Sequence, residues 1–123
     1  MRRKIKLFIG KCINKYKLNH KNIKYLLWID DIRDIPDKYK ELYNCCIARD
    51  YEDAISKLSK FTFDIICLDH DLGEEKTGYD ICKYIIENKI KCKEYRIHTS
   101  NPVGRDNMYA ILNRYTSANI IIN

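Results

Sequence analysis

The chain has 123 residues, 46% of them hydrophobic and 33% charged. That is the size of one domain, with enough apolar content to build a core rather than stay disordered. No apolar run approaches the roughly 20 residues of a membrane-spanning helix, and the net charge of +6 is unevenly spread, since residues 1–24 hold nine of the 23 basic residues and none of the 17 acidic ones.

A basic arm, residues 1–22, therefore precedes a mildly acidic body, residues 23–123. Such an arm either attracts nucleic acid or an anionic membrane surface, or serves as a solvated N-terminus. Its apolar residues read two ways: Ile5, Ile9 and Ile13 fit a helix face, while Ile5, Leu7 and Ile9 alternate as in a strand. His20 reads as plain surface. The arm lacks the pattern of a secretory signal. Cys12, Cys45, Cys46, Cys67, Cys82 and Cys92 show no Cys-x-x-Cys spacing, which argues against zinc and for a reducing compartment, the cytoplasm.

From residue 23 the pattern sharpens. Residues 23–29 are an apolar run ending in Asp30-Asp31, the mark of a buried strand. Pro36 stands where a helix can begin, with Tyr39, Leu42 and Tyr43 on one side. Asn44–Ala48 reads as a second strand. Asp50 is placed to cap a helix carrying Ala54, Ile55 and Leu58, with Asp53 on its surface. Residues 63–68 form a third strand, apolar on both faces, and a loop over residues 69–77 follows. Thr77 and Asp80 have the spacing of a capping box before Ile81, Cys82, Tyr84, Ile85 and Ile86. Residues 95–99 are a fourth strand. A loop with Pro102 and Gly104 leads into a helix bearing Met108, Ile111, Leu112 and Tyr115, and residues 118–122 are the last strand. Tyr25, Tyr51 and Tyr79 read as packing residues. Five strands alternating with four helices predict a parallel sheet covered on both faces.

In an open parallel sheet, ligands bind beyond the carboxyl ends of the strands, near the point where strand order reverses. The chemically unusual residues gather at those ends. Asp30, Asp31 and Arg33 follow the first strand, Asp69, His70 and Asp71 the third, and His98, Thr99, Ser100 and Asn101 close the fourth. The breakers Gly73, Gly78, Pro102 and Gly104 lie in the same loops, where glycine permits close approach of backbone to ligand.

Four clustered aspartates repel one another and need a cation or raised pKa values. Mg²⁺ suits a few carboxylates together with water and phosphate oxygens. His70 and His98 suit proton transfer near neutral pH. Ser100, Asn101 and the amides that start the following helix suit phosphate oxygens, and Arg33 suits a bidentate phosphate clamp. Against these stand simpler roles: histidines that satisfy backbone groups, and an Asp30-Asp31 pair that only shapes its loop.

The order of elements, the pair Asp30-Asp31 and Asp69 after the third strand resemble the response-regulator receiver domain. In that family the three aspartates bind Mg²⁺, the strand-three aspartate accepts phosphate, and Thr99 or Ser100 would match the hydroxyl residue after strand four. The resemblance covers residues 24–122. It implies a flavodoxin- or receiver-like three-layer α/β sandwich with strand order 2-1-3-4-5. Two features depart from it: no basic residue follows Arg114, where receivers carry a lysine after strand five, and the final helix is missing.

The stretches LWIDDIRDIP, CLDHDLGEEKTGYD and IHTSNPVGRDNM are similar to a narrower family, the cyclic-phosphate-processing receiver domains. Asp30, Asp31, Arg33, Asp69, His70, Asp71, Gly73, His98, Ser100, Asn101, Gly104 and Asn107 fall on its pattern. This resemblance implies a phosphoesterase acting on a cyclic phosphate of a nucleotide or RNA end. His70 and His98 would be acid and base, with Asp69 and Asp71 beside them. Arg33, Ser100, Asn101, Gly104 and Asn107 would bind substrate, and Asp30, Asp31 and Asp69 would hold Mg²⁺ if it is used. The competing expectation is a degenerate receiver that signals, or binds a nucleotide, without turnover.

Overall fold

The apolar runs become the strands of one sheet in the computed structural model, which describes residues 23–123; the basic arm and His20 lie outside the described residues. Strands β1 (Tyr25–Ile29), β2 (Asn44–Ala48), β3 (Ile65–Leu68), β4 (Glu94–Ile97) and β5 (Asn119–Ile122) are all parallel, in the order β2-β1-β3-β4-β5. Helices α1 (Asp37–Leu42), α2 (Tyr51–Lys60), α3 (Gly78–Glu87) and α4 (Pro102–Tyr115) make the crossovers. No helix follows β5 among the described residues. None of the described helices is long and apolar enough to cross a membrane.

Alternation along each strand sorts the core into two layers. Leu27, Ile29, Ile66, Leu68, Tyr95 and Ile97 face Ala54 and Leu58 of α2, Ile81 and Ile85 of α3, and Met108 and Leu112 of α4. Leu26, Trp28, Ile65 and Cys67 face the other way, toward Ile35 and Tyr39 of the α1 segment. The central strand β3 is buried along its whole length, as a strand covered on both faces must be. Cys45, Cys46, Cys67 and Cys82 are buried in these layers, where they pack as small hydrophobes.

The helix starts follow the sequence. The Asp50 side chain accepts a hydrogen bond from the Asp53 amide, and Thr77 and Asp80 form a reciprocal capping box. The Asn101 side chain caps α4 by accepting from the Gly104 amide. The strand ends differ from expectation by a residue or two. The third strand starts at Ile65 rather than residue 63, because the Asp64 carboxylate turns back to accept from the Tyr25 amide. The fourth spans Glu94–Ile97, so His98 and Thr99 stand just past the sheet rather than in it.

Candidate functional site

Register fixes the floor of the site. Ile29 of β1, Leu68 of β3 and Ile97 of β4 form one row across the sheet. The next residue on each strand is Asp30, Asp69 and His98, and two further ladder bonds hold that row: the Asp69 amide donates to the Ile29 carbonyl (3.0 Å) and the His98 amide to the Leu68 carbonyl (3.0 Å). All three are buried although polar, so their partners decide whether they are tolerated.

Asp30 is fully partnered. One carboxylate oxygen accepts from the amides of Ile32 (2.9 Å) and Arg33 (2.8 Å), which shapes the loop after β1. The other faces Arg33 Nε at 3.1 Å and His98 Nε2 at 3.0 Å. The loop is pinned again at the Arg33 carbonyl, which accepts from Trp28 Nε1 (2.9 Å) and Arg49 Nη1 (2.7 Å). The imidazole of His98 lies flat on the Trp28 indole, with centroids 4.0 Å apart and planes 7° from parallel. The two rings come from strands separated by β3. The β3 residue paired with Trp28 is Cys67, small enough for rings to meet above it.

Asp69 accepts from the His70 amide (2.8 Å) and from the Thr99 hydroxyl, and lies 3.5 Å from Arg33 Nη2. His70 turns to the α4 side. Its Nδ1 is 3.0 Å from Asp71 and 3.4 Å from Asn101 Nδ2, and Asn101 Nδ2 also reaches Asp71 at 3.3 Å. His70 Nε2 has no hydrogen-bond partner among the described residues. Two glycines make room here. A Cβ on Gly104 would come within 2.3 Å of the His70 ring, and one on Gly78 within 2.0 Å of the Asp69 carbonyl oxygen. Gly73 has φ +69°, the left-handed region that favours glycine, and a Cβ there would lie 3.0 Å from an Asp31 oxygen.

Above this floor is an open cavity of about 340 Å³ lined by Asp30, Asp31, Ile32, Arg33, Asp69, Asp71, Gly73 and Ser100. The expected site residues thus divide. The aspartates, Arg33 and Ser100 line the cavity. His70, Asn101 and Gly104 do not line it; they sit together next to Asp71, toward α4, and His98 lies behind Asp30. Asn107 is exposed on α4 and lines no part of the cavity. Two participants escaped the sequence reading. Arg49 carried no motif. Trp28 lies in an apolar strand, though its position two residues before Asp30 puts both on one face.

The profile of the family described as "Cyclic-phosphate processing Receiver domain" matches residues 25–114, most of the chain. The chain belongs to this family. Receiver domains also share its fold. A receiver domain protein from Methanospirillum hungatei superposes with a TM-score of 0.63 at 21% identity, over 83% of this chain and 82% of the other. The response regulator TrrA from Thermotoga maritima, in complex with Mg²⁺ and BeF, gives 0.60 at 19% identity, over 82% and 87%. A Francisella response-regulator receiver domain gives 0.61 at 17%, over 81% and 84%. No curated protein sequence matches the chain.

In this cyclic-phosphate-processing receiver domain the electrostatics are asymmetric. Burial opposes ionisation of Asp30, yet the Arg33 and Ile32 amides and the Arg33 and His98 charges outweigh it and hold its carboxyl below the ordinary range. Burial pushes Asp69 above that range, reinforced by the Asp30 charge, despite hydrogen bonds from Thr99 and His70. Burial also holds His98 below its usual value, against the pull of Asp30. Asp71 is lowered by its hydrogen bonds to His70 and Asn101. One oxygen each of Asp30, Asp31 and Asp69 lie within 4.8 Å of one another, a hard-donor set that fits a small divalent cation. Asp69, short of compensating charge, fits that role best; Asp30 already has protein donors on both oxygens. β5 ends at Ile122 and is followed by Asn123 rather than a lysine, and the Arg33 guanidinium lies 3.5 Å from Asp69.

Proposed function

We propose that this protein is a phosphoesterase that opens a cyclic phosphate of a nucleotide or an RNA end. The observation that carries the reading is the Asp71–His70 pair beside a cavity bearing Arg33 and Ser100. With Asp71 accepting from Nδ1–H, the tautomer of His70 leaves a lone pair on Nε2, the arrangement a general base requires. Water adds across one P–O bond of the ring. Its oxygen joins phosphorus, one ring oxygen leaves with the bonding electrons and gains a proton, and a phosphomonoester with a free neighbouring hydroxyl results. His70 exchanges a proton with the attacking water or the leaving oxygen. The Arg33 guanidinium and Ser100 hydroxyl bind the non-bridging oxygens, whose charge grows in the transition state. Asn101 donates from Nδ2 to Asp71 and so keeps the pair in place, and Gly104 admits the His70 ring. Asn107, one turn further along α4, is assigned to the rest of the substrate.

Asp30, Asp31 and Asp69 are the residues that would hold Mg²⁺, which when bound offsets phosphate charge and polarises a P–O bond. The basic arm would contact the nucleic acid of an RNA substrate. A panel of nucleoside cyclic phosphates, assayed with and without chelator, tests the reading. Turnover lost on chelation and in Asp69→Asn assigns the acidic trio to a metal. Turnover that survives chelation assigns the trio to orienting Arg33 and His98. No turnover of any member contradicts the proposal and favours the second reading, a binding or signalling module; the contact of Asp69 with Thr99, as in a receiver, supports that alternative.

A further inference from the structure

His98 stands at the floor of the site, yet its surroundings differ in kind from those of His70. A histidine that shuttles a proton needs one nitrogen open to the reacting atoms. Nε2 of His98 is taken by Asp30 at 3.0 Å, and Nδ1 is buried with no partner among the described residues. One face of the ring is covered by the Trp28 indole, 4.0 Å away and nearly parallel. Asp30 lines the cavity, whereas His98, like His70, does not; what sets His98 apart is that its nitrogens and one ring face are enclosed by protein. A proton on Nδ1 would be a buried donor without a partner, which is costly away from water. A ring with its proton on Nε2 satisfies the one contact available.

We infer that His98 is a positioning residue acting through Asp30, and that Trp28 is the clamp that fixes it, so that neither residue transfers a proton to substrate. Trp28 does this twice. Its ring holds the imidazole against Asp30, and its Nε1–H holds the Arg33 carbonyl at 2.9 Å, setting the loop from which Arg33 reaches both Asp30 and Asp69. One strand residue thereby orients the carboxylate and the guanidinium that face the ligand. Trp28 also packs edge-on against Tyr39 of α1, with centroids 6.3 Å apart, which leaves the indole little freedom to turn. The kinetic part of this inference rests on the phosphoesterase reading; the structural part does not.

Two experiments on the full chain separate the two. In the first, cyclic-phosphate turnover is compared for wild type, His98→Gln, His98→Ala, His70→Gln, Trp28→Phe and Trp28→Leu. The glutamine amide reaches as far as Nε2 and donates to Asp30, and it cannot transfer a proton. His98→Gln is expected to keep kcat within about tenfold of wild type, while His70→Gln loses the roughly 10²–10⁴-fold of a proton-transfer group. Trp28→Phe, which keeps the stack, should outperform Trp28→Leu, which loses stack and hydrogen bond. A folded His98→Gln as inactive as His70→Gln would overturn the inference. In the second, ¹H–¹⁵N NMR of the imidazoles is recorded without substrate. His98 should show one tautomer with a slowly exchanging Nε2–H, and that protection should be lost in Trp28→Leu. A His98 ring exchanging freely between tautomers in wild type would overturn the inference whether or not cyclic phosphates are turned over. Absence of turnover with the protected tautomer intact would instead refute the phosphoesterase reading alone.

Discussion

Two buried glycines and one buried histidine show how little slack the site has at the scale of single residues. A Cβ on Gly78 meets the Asp69 carbonyl oxygen at 2.0 Å and Met108 Sδ at 2.9 Å, so backbone must shift. Gly78→Ala should lower stability by about 1–3 kcal/mol, the usual cost of overpacking, read as a lower midpoint in thermal unfolding. A Cβ on Gly104 meets the His70 ring first, at 2.3 Å, a side chain rather than backbone; Gly104→Ala should leave the midpoint closer to wild type and reduce turnover, because His70 is displaced from Asp71. The sign of the pH dependence follows from His98. Burial holds its folded pKa below the ordinary 6.5, so between those two values the unfolded chain binds a proton that the folded chain does not. This contribution to stability is complete above about pH 6.5 and is lost as pH falls toward the folded pKa. Asp69, raised above 3.8, works in the opposite sense, favouring the folded state in acid. Wild type should therefore melt at higher temperature at pH 7 than at pH 5, and His98→Gln should flatten that gradient; an equal gradient in the variant would mean that another group causes it.

Elements carry the capping and the register, and here the sequence was most readable. The apolar runs coincide with the five described strands, and the spacing of Thr77 and Asp80 marks the start of α3. Asp30 and Asp69 could be placed on one rim because both directly follow buried strands. The Trp28–His98 stack was not readable, since it depends on β1 and β4 lying on either side of β3 and on a small residue at position 67. No spacing within a single segment encodes that arrangement. The division of labour between the histidines was hidden for the same reason: both follow strands, but one turns toward α4 and the other toward the α1 side. Asn101 illustrates a residue with two duties, capping α4 and touching His70 and Asp71. Asn101→Ala should cost about 1 kcal/mol of stability through the lost cap, as should Thr77→Ala. Only the Asn101 variant should also reduce turnover, and equal activity of the two would place Asn101 outside the site.

At the scale of the whole molecule, an acidic cavity sits on a body preceded by a basic arm with eight Lys or Arg in residues 1–22. Among the described residues the five strands begin at residue 25, and the family match begins there. Removing residues 1–22 should leave the far-ultraviolet circular dichroism of the domain and the turnover of small cyclic phosphates nearly unchanged. It should weaken RNA binding and flatten its salt dependence, because fewer counterions are released; an unchanged salt slope would exclude the arm from RNA contact. The proposed reading and its alternative differ at Asp69: it supports hydrolysis beside it, or it belongs to a module that binds or signals without turnover. The pairing of His70 with Asp71 is the observation on which the hydrolysis reading rests. The most direct test is ³¹P NMR of the full chain with a nucleoside 2′,3′-cyclic phosphate, alongside His70→Ala and a parallel sample with a small phosphodonor. The expected spectrum is conversion of the cyclic resonance to a phosphomonoester by wild type, none by His70→Ala, and no acyl phosphate on Asp69 with the donor. A persistent acyl-phosphate resonance together with an untouched cyclic phosphate would contradict the account.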